Sequence, residues 1–273
     1  MQYIQLNNGV RMPGVGFGVY KLEDGKEAYD AVRWALDAGY RYIDAASYYG
    51  NEKSVGKAIK ESGIDRSEIF LLSKVWNTEI MAGKVKESFQ ESLERLQTDY
   101  VDCFLVHWPV QGYQQAWLDL IDLYEQTDRV RAIGVSNFEP RHLDKLDPRV
   151  KPVINQIESH PRLLNQALID EILKRDIPVS AYRPLGGWRP EDSVLQEEPV
   201  LQLAEKYGKT PAQIVLRWHV QRGLIPVAKS AKKERIEANF QIFDFMLSGQ
   251  DMKTIEAMNT NRSTVNVMNP VAD

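Results

Sequence analysis

Side chains that can hold charge or move protons recur where the β-rich segments of this chain end. Asp44, Lys74 and His107 each close a run of apolar and aromatic residues. An acid, an amine and an imidazole that meet at one place can polarise a carbonyl group or transfer a proton. The stretch IDAASYYGNE (43–52) adds two adjacent tyrosines directly after Asp44. A phenol can act as a general acid if its surroundings adjust its pKa, which is near 10 in water.

Later β-rich segments also end in polar or aromatic side chains. Taken singly, each has an ordinary structural explanation, such as a core hydrogen bond or an ion pair. A buried Lys74 without Asp44 would be costly, so that pair is expected in any case. The convergence of an acid, a lysine, a histidine and a tyrosine is what favours a catalytic site. The later positions are Ser136 with Asn137, Gln156, Tyr182, and Lys229 with Ser230.

The spacing of the β-rich segments predicts the fold that positions these side chains. Helical patterns separate most of the segments, and one βα unit fills most of the intervals between them. Strict alternation of this kind indicates parallel strands with helices outside. Eight repeats in about 250 residues favour a closed (β/α)8 barrel of the α/β class over an open, doubly wound sheet. The eight segments begin at Gly14, Tyr40, Ile69, Val101, Val130, Val153, Ile177 and Leu224.

Two additions to the barrel are also expected. A hairpin that turns at Asn7–Gly9 precedes the first barrel strand and is placed to cap the bottom of the barrel. The long interval before the last strand has room for two helices, at Val200–Lys206 and Ala212–Gln221. No linker or change in composition divides the chain, which predicts a single domain over residues 1–273.

Alternation along the strands aims the polar ends at the barrel mouth. Catalytic residues of such barrels lie at the C-terminal ends of the strands and in the loops that follow. In the segment 101–107, Cys103, Leu105 and His107 share one face, which we assign to the barrel interior.

The composition excludes several classes of protein. The chain has 273 residues, a formal net charge of -4 and one cysteine. A nucleic-acid surface is not expected at this charge, and the single cysteine suits a reducing cytoplasm. We see no signal peptide at the N-terminus and no apolar run long enough to span a bilayer. The sequence therefore predicts a cytoplasmic protein without nucleic-acid or membrane partners, which we expect to be a monomer.

A series of motifs resembles the aldo-keto reductase family. The pieces occur in family order and extend from about Gln5 to Arg262. Any one of them alone would be a weak signal, but the series is specific. The pieces are GYRYIDAASYYGNE (39–52), SKVW (73–76), LVHWP (105–109), GVSNF (134–138), NQIESHP (155–161), AYRPL (181–185), and KS (229–230) followed by ERIEAN (234–239).

The resemblance implies a catalytic tetrad of Asp44, Tyr49, Lys74 and His107. In this interpretation Tyr49 donates a proton to the developing alkoxide, and the Lys74 ammonium lowers the pKa of the phenol. Asp44 keeps Lys74 charged and oriented, while His107 hydrogen-bonds the substrate oxygen. The hydride must come from a bound cofactor, because no side chain supplies one.

The resemblance also implies a set of cofactor-binding residues. Hydroxyl and amide groups hold the nicotinamide carboxamide, a tyrosine ring stacks on the nicotinamide, and a leucine lies beside the pyrophosphate. A basic cluster that opens the last helix suits the 2′-phosphate, so that NADPH is preferred over NADH. In that order the residues are Ser136, Asn137 and Gln156; Tyr182; Leu185; Lys229, Ser230, Lys232 and Arg235; with Asn239 as a contact to adenine.

The implied substrate is a small carbonyl compound. By resemblance, Tyr20, Trp76 and Trp108 line the substrate pocket together with His107, and Tyr48 is a packing or pocket-wall residue. The short C-terminal tail resembles the bacterial 2,5-diketo-D-gluconate reductase and methylglyoxal reductase types, which suggests an open site. The chain departs from common family residues at Ala45, Arg183, Ala228 and Ala238.

The same residues could serve three other functions. A Schiff-base aldolase could use Lys74, but it needs a neutral lysine, and pairing with Asp44 argues against one. Metal-dependent hydrolysis is weaker, because the four histidines show no paired ligand spacing, and no metal is expected. A non-catalytic barrel that senses a nucleotide or binds a partner remains open on sequence alone.

Overall fold

The chain begins with a hairpin that closes the bottom of a barrel. The computed structural model describes residues 2–187, 189–265 and 271–272. Strands β1 (Tyr3–Gln5) and β2 (Arg11–Pro13) pair antiparallel. The side chain of Asn7, in the turn, donates hydrogen bonds to the carbonyl oxygens of Pro152 and Asp176, which precede two barrel strands. The predicted hairpin is therefore confirmed.

The eight β-rich segments each contain one strand of a closed barrel. Within the described residues, eight parallel strands pair in the order β10-β3-β4-β5-β6-β7-β8-β9, which confirms the (β/α)8 fold. The strands are β3 (Gly16–Gly18), β4 (Tyr42–Asp44), β5 (Phe70–Val75), β6 (Cys103–Val106), β7 (Ile133–Ser136), β8 (Asn155–Glu158), β9 (Val179–Tyr182) and β10 (Ile225–Ala228).

Helices connect the strands and cover the outside of the barrel. Both helices expected before the last strand are present as α8 and α9. The helices are α1 (Lys26–Ala38), α2 (Glu52–Lys60), α3 (Asn77–Met81), α4 (Val85–Leu96), α5 (Tyr113–Gln126), α6 (Pro140–Leu143), α7 (Gln166–Leu173), α8 (Glu198–Tyr207), α9 (Pro211–Gln221), α10 (Lys233–Phe240) and α11 (Gly249–Glu256). Among the residues that the structure describes, no helix is long and apolar enough to cross a membrane.

One expectation about the helices was wrong. The basic cluster near Lys232 opens α10, but α10 is not the last helix, because α11 follows it. Ser248 caps α11 by accepting a hydrogen bond from the backbone N–H of Asp251, and Ile255 buries its apolar side. This short helix has a weak periodicity that the sequence analysis did not recognise.

The barrel interior explains how the strands can carry large side chains towards the mouth. Tyr42, Leu72, Cys103 and Leu105 belong to one buried cluster inside the barrel, as alternation predicts. A Cβ atom on Gly16 would lie 2.4 Å from Cδ1 of Tyr42, far inside contact distance. The absence of a side chain at Gly16 therefore leaves the room that the Tyr42 ring occupies.

Ser263 and Thr264 fasten the start of the C-terminal tail to the ends of β8 and β9. Glu158, the last residue of β8, accepts hydrogen bonds from the Ser263 hydroxyl at 2.5 Å and from the backbone N–H of Thr264 at 2.9 Å. His160 Nε2 lies 3.4 Å from the same carboxylate. Burial opposes ionisation of Glu158, but these partners outweigh it and lower its pKa to about 2.

Protonation of Glu158 is expected to weaken its hydrogen bonds to Ser263 and Thr264 and to destabilise the fold. Because its pKa lies below the ordinary 4.5, the carboxylate stabilises the folded chain above that pH and loses its contribution as the pH falls towards 2. Between pH 6 and pH 3, the free energy of unfolding of the wild type should fall about 2 kcal/mol more than that of Glu158→Gln. Urea unfolding at both pH values measures the difference.

The exposed Glu68 supplies the control for this experiment, since it precedes β5, whereas the tail is held at the other end of the barrel, after β8 and β9. Glu68→Gln should follow the pH dependence of the wild type. Equal losses of unfolding free energy in the wild type and in Glu158→Gln would show that the contacts of Glu158 with the tail contribute nothing to the acid sensitivity.

Candidate active site

A buried ion pair joins the ends of β4 and β5. Lys74 Nζ lies 2.6 Å from Asp44 Oδ1, and neither side chain is more than 4% exposed. The same ammonium donates to the carbonyl oxygen of Ala45 at 2.8 Å and to the hydroxyl of Tyr49 at 3.4 Å. Three acceptors match the three N–H groups of a charged lysine. Burial lowers the pKa of Lys74, and the Asp44 carboxylate opposes that fall.

The second oxygen of Asp44 is held from inside the barrel. The Tyr42 hydroxyl donates to Asp44 Oδ2 at 2.7 Å, and Gln156 Nε2 donates to the same atom at 2.7 Å. Together with Lys74, these bonds fix both carboxylate oxygens without solvent. Tyr42 is therefore part of the site's support, which the sequence analysis missed. The signal was available, because Tyr42 and Asp44 share a face of β4.

Tyr49 lies beside Lys74 on a short 3-10 turn, Ser47–Tyr49. The turn is tied to β5 because the Ser47 hydroxyl donates to the carbonyl oxygen of Lys74 at 3.0 Å. The nearby Lys74 predicts a lowered pKa for this phenol, but the surroundings of Tyr49 give the opposite direction. Burial raises the pKa of Tyr49 well above its ordinary value, the Asp44 carboxylate adds to the rise, and Arg183 opposes it. The phenol therefore keeps its proton at neutral pH.

His107 follows β6 and faces Tyr49 across the mouth. The two rings meet edge to face with their centroids 5.9 Å apart. Burial lowers the pKa of His107 well below its ordinary value, and the Lys74 ammonium adds to the fall. The imidazole is therefore neutral at pH 7. Its Nδ1 is buried without a hydrogen-bond partner among the described residues.

Aromatic rings form one wall of the mouth, which we call the aromatic wall: Tyr20, Tyr48 and Trp76. Tyr48 and Trp76 stack with centroids 3.7 Å apart, and Tyr20 lies 6.5 Å from Tyr48. Tyr20 also packs 5.0 Å from Tyr49, which connects the wall to the ion pair. Tyr48 is 49% exposed and so belongs to the pocket wall rather than to the core. Trp108 packs against the main hydrophobic core, and no ring contact found in the described chain joins it to the wall.

The residues expected to hold the nicotinamide form one hydrogen-bonded chain across β7, β8 and β9. The Tyr182 hydroxyl donates to Asn137 Oδ1 at 2.7 Å, and Asn137 Nδ2 donates to Ser136 Oγ at 3.0 Å. Ser136 Oγ donates to the carbonyl oxygen of Gln156 at 2.8 Å. Asn137 Nδ2 also donates to the carbonyl oxygen of His107 at 3.1 Å, so this chain is continuous with the histidine.

The remaining predicted cofactor residues lie in the loops after β9 and β10 and in α10. Leu185 is partly buried against the core, and Asn239 is 6% exposed within α10. Lys229, Lys232 and Arg235 are exposed at the start of α10, where Ser230 Oγ accepts from the backbone N–H of Lys232 at 3.1 Å. Throughout the described ranges, neither Lys232 nor Arg235 has a side-chain hydrogen bond or ion pair. The group is separate from the tetrad in sequence, and its place in a cofactor site stays a prediction.

Glu158 and Arg183 are further members of the mouth that the sequence analysis did not identify as connected. Arg183 Nη1 donates to the carbonyl oxygen of Thr264 at 2.5 Å and to its hydroxyl at 2.9 Å. Glu158 could have been suspected, because it lies on the same strand face as Gln156. The contact between Arg183 and Thr264 joins positions 81 residues apart and leaves no pattern in the sequence. Among the described residues, no group of three His, Cys, Asp or Glu is arranged to hold a metal ion.

Comparisons with known proteins identify the family of this chain. The sequence profile described as the Aldo/keto reductase family matches residues 14–260. Glyoxal reductase of Bacillus subtilis (strain 168) is 45% identical over 259 residues, covering 94% of this chain and 92% of that protein. The 9,11-endoperoxide prostaglandin H2 reductase of Trypanosoma cruzi (strain CL Brener) is 41% identical over 262 residues, covering 95% and 92%.

Solved structures also resemble this chain over nearly its whole length. The crystal structure of an aldo/keto reductase from Brucella melitensis has a TM-score of 0.89 and 42% identity, covering 94% of this chain and 97% of that chain. The Bombyx mori aldo-keto reductase in complex with NADP has a TM-score of 0.91 and 33% identity, covering 97% and 95%. With the family profile spanning nearly the whole barrel, the chain belongs to the aldo/keto reductase family.

Proposed function

We propose that this chain reduces small carbonyl compounds to alcohols with NADPH, and that Tyr49 is the proton donor. The supporting observation is the contact of the Tyr49 hydroxyl with the Lys74 ammonium, which is itself held by Asp44. The substrates are aldehydes, α-dicarbonyls and keto-sugars. A relative named glyoxal reductase supports a small dicarbonyl among them.

The proton comes from the Tyr49 hydroxyl. A bound NADPH would supply the hydride for the carbonyl carbon, and the carbonyl oxygen would take the Tyr49 proton. The phenolate left behind is stabilised by the Lys74 ammonium at 3.4 Å. The raised pKa of Tyr49 suits this role in the resting enzyme, because the proton is in place before the carbonyl arrives.

His107 orients the carbonyl oxygen. A neutral imidazole carries one N–H and donates it without placing a second positive charge beside Lys74. The substrate lies against the aromatic wall, whose flat faces suit small planar carbonyl groups. Trp108 completes this pocket in our proposal.

Two features of the chain fit NADPH. The half-buried ring of Tyr182 and the amide and hydroxyl groups of Ser136, Asn137 and Gln156 offer a flat surface with hydrogen-bonding groups for a nicotinamide. The exposed cations at the start of α10, led by Lys229, Lys232 and Arg235, suit a 2′-phosphate. Leu185 lies beside the pyrophosphate and Asn239 beside the adenine in this proposal. A neighbouring structure that holds NADP supports the choice of cofactor class.

A Schiff-base mechanism at Lys74 is disfavoured by geometry. The Lys74 side chain has no exposed surface, and its three N–H groups are all donated. A neutral, accessible amine is what such an aldolase requires. Borohydride trapping with substrate tests the point directly: a covalent adduct at Lys74 would favour the aldolase over the reductase.

Tyr49→Phe is expected to reduce turnover by roughly 10²- to 10⁴-fold, because it removes the proton donor and leaves the ring in place. The measurement is NADPH oxidation over a panel of aldehydes, dicarbonyls and keto-sugars. Tyr48→Phe is the matched control, since it removes the neighbouring hydroxyl from the aromatic wall. It should retain turnover close to that of the wild type. Wild-type turnover in Tyr49→Phe would contradict the proton-donor assignment.

The cationic group at α10 is expected to distinguish the two dinucleotides. Lys232→Ala and Arg235→Ala should each raise the Kd for NADPH by roughly tenfold, because each loses a charge-assisted hydrogen bond to the 2′-phosphate. The Kd for NADH should stay the same. Titration calorimetry measures both, with Lys253→Ala in α11 as the control. Equal weakening of NADPH and NADH would place these cations elsewhere than at the 2′-phosphate.

A further inference from the structure

Arg183 occupies an unusual backbone position at the barrel mouth. It comes directly after β9 and has a φ of 51°, in the left-handed region that few non-glycine residues adopt. The turn is fixed because the backbone N–H of Gly186 donates to the carbonyl oxygen of Arg183 at 2.9 Å. A strained conformation that the surrounding structure holds in place is often found where a side chain has a functional task.

Only one of the three guanidinium nitrogens of Arg183 makes hydrogen bonds to the described residues. Nη1 makes both hydrogen bonds to Thr264, one to the carbonyl oxygen and one to the hydroxyl. Nε and Nη2 donate to no residue in the described part of the chain, and no carboxylate there forms an ion pair with Arg183. The Nε–Nη2 edge is the pair of parallel donors that matches a carboxylate or a phosphate.

The positive charge of Arg183 acts on the tyrosines of the candidate active site. Burial raises the pKa of Tyr20, Tyr49 and Tyr182, and the Arg183 guanidinium opposes that rise in all three. These phenols line the mouth from β3, β4 and β9. The guanidinium therefore acts on the space where substrate and nicotinamide would meet.

Thr264 does not depend on Arg183 alone. Its backbone N–H donates to Glu158 Oε1 at 2.9 Å and its hydroxyl lies 2.5 Å from the same oxygen. The Glu158 carboxylate thus reaches Arg183 through the Thr264 hydroxyl and has its own donors. The tail remains fastened if the guanidinium takes a further partner, and the charge of Arg183 is not cancelled by a direct ion pair.

We propose that Arg183 is an oxyanion-binding residue of the active site. The Nε–Nη2 edge takes a phosphate or carboxylate group of a bound ligand while Nη1 stays on Thr264. This inference rests on the proposed function for the ligands that carry the group. The oxyanion comes either from the pyrophosphate of the dinucleotide or from a carboxylate on the carbonyl substrate, and the two sources are separable by experiment.

The experiment compares the wild type with Arg183→Gln, Arg183→Lys and Thr264→Val. Calorimetry gives the Kd for NADPH, and steady-state kinetics give KM for benzaldehyde and for 4-carboxybenzaldehyde. Arg183→Gln removes both the positive charge and the pair of parallel N–H donors. Arg183→Lys keeps the charge but not the pair of donors. Thr264→Val removes the hydroxyl partner of Arg183 and leaves the guanidinium in place. The loss of a bidentate, charge-assisted contact should appear as roughly a tenfold change in Arg183→Gln, with Arg183→Lys between it and the wild type.

A rise in the NADPH Kd with an unchanged ratio of the two KM values assigns the oxyanion to the pyrophosphate. A rise in KM for 4-carboxybenzaldehyde alone assigns it to the substrate. In either case Thr264→Val should stay within about twofold of the wild type.

Two results would overturn the proposal. One is that all constants of Arg183→Gln stay within about twofold of the wild type. The other is that Thr264→Val reproduces the losses of Arg183→Gln, which would mean that Arg183 only fastens the tail. A wild type that binds NADPH but reduces none of the aldehydes, dicarbonyls and keto-sugars of the panel would contradict the proposed function, while a rise in the NADPH Kd of Arg183→Gln would still assign Arg183 to the pyrophosphate.

Discussion

The buried ion pair between Lys74 and Asp44 is the interaction on which the site depends. Moving an ammonium and a carboxylate out of water is costly, and the cost is offset only when every remaining hydrogen-bonding group is satisfied. Here the Ala45 carbonyl and Tyr49 hydroxyl complete Lys74, while Tyr42 and Gln156 complete Asp44. The requirement reaches further into the barrel, because Tyr42 fits only where Gly16 has no side chain.

The same pair sets the electrostatics of the mouth. Lys74 lies against Tyr49 and helps to keep His107 neutral, so the site presents one protonated phenol and one neutral imidazole. Burial holds the proton on Tyr49 until a carbonyl oxygen is there to receive it. The cation matters after the transfer, when it faces the phenolate. The pair therefore keeps His107 neutral in the resting state and stabilises the phenolate that follows proton transfer.

Much of the fold and half of the site could be predicted from sequence. The β-rich segments and their spacing identified all eight barrel strands, and alternation grouped Asp44 with Tyr42, whose ring lies inside the barrel. The choice of Tyr49 as the proton donor came from the family resemblance, because the local pattern does not distinguish Tyr49 from Tyr48. The direction of its pKa was predicted wrongly, because the sequence shows a nearby lysine but not the depth of burial. The contacts of Thr264 with Glu158 and Arg183 are invisible in sequence, because only the closed barrel brings the tail to the ends of β8 and β9.

If the ion pair exists for chemistry rather than stability, the two properties should separate when both charges are removed together. Replacing a buried pair by neutral residues is often nearly neutral for stability, whereas removal of one partner strands a charge. The decisive measurement is the turnover of the folded double variant Asp44→Asn/Lys74→Met with NADPH and an aldehyde. Our account predicts a loss of at least about 10²-fold in kcat in a protein that unfolds cooperatively. Turnover close to that of the wild type in this variant would contradict the central role of the pair.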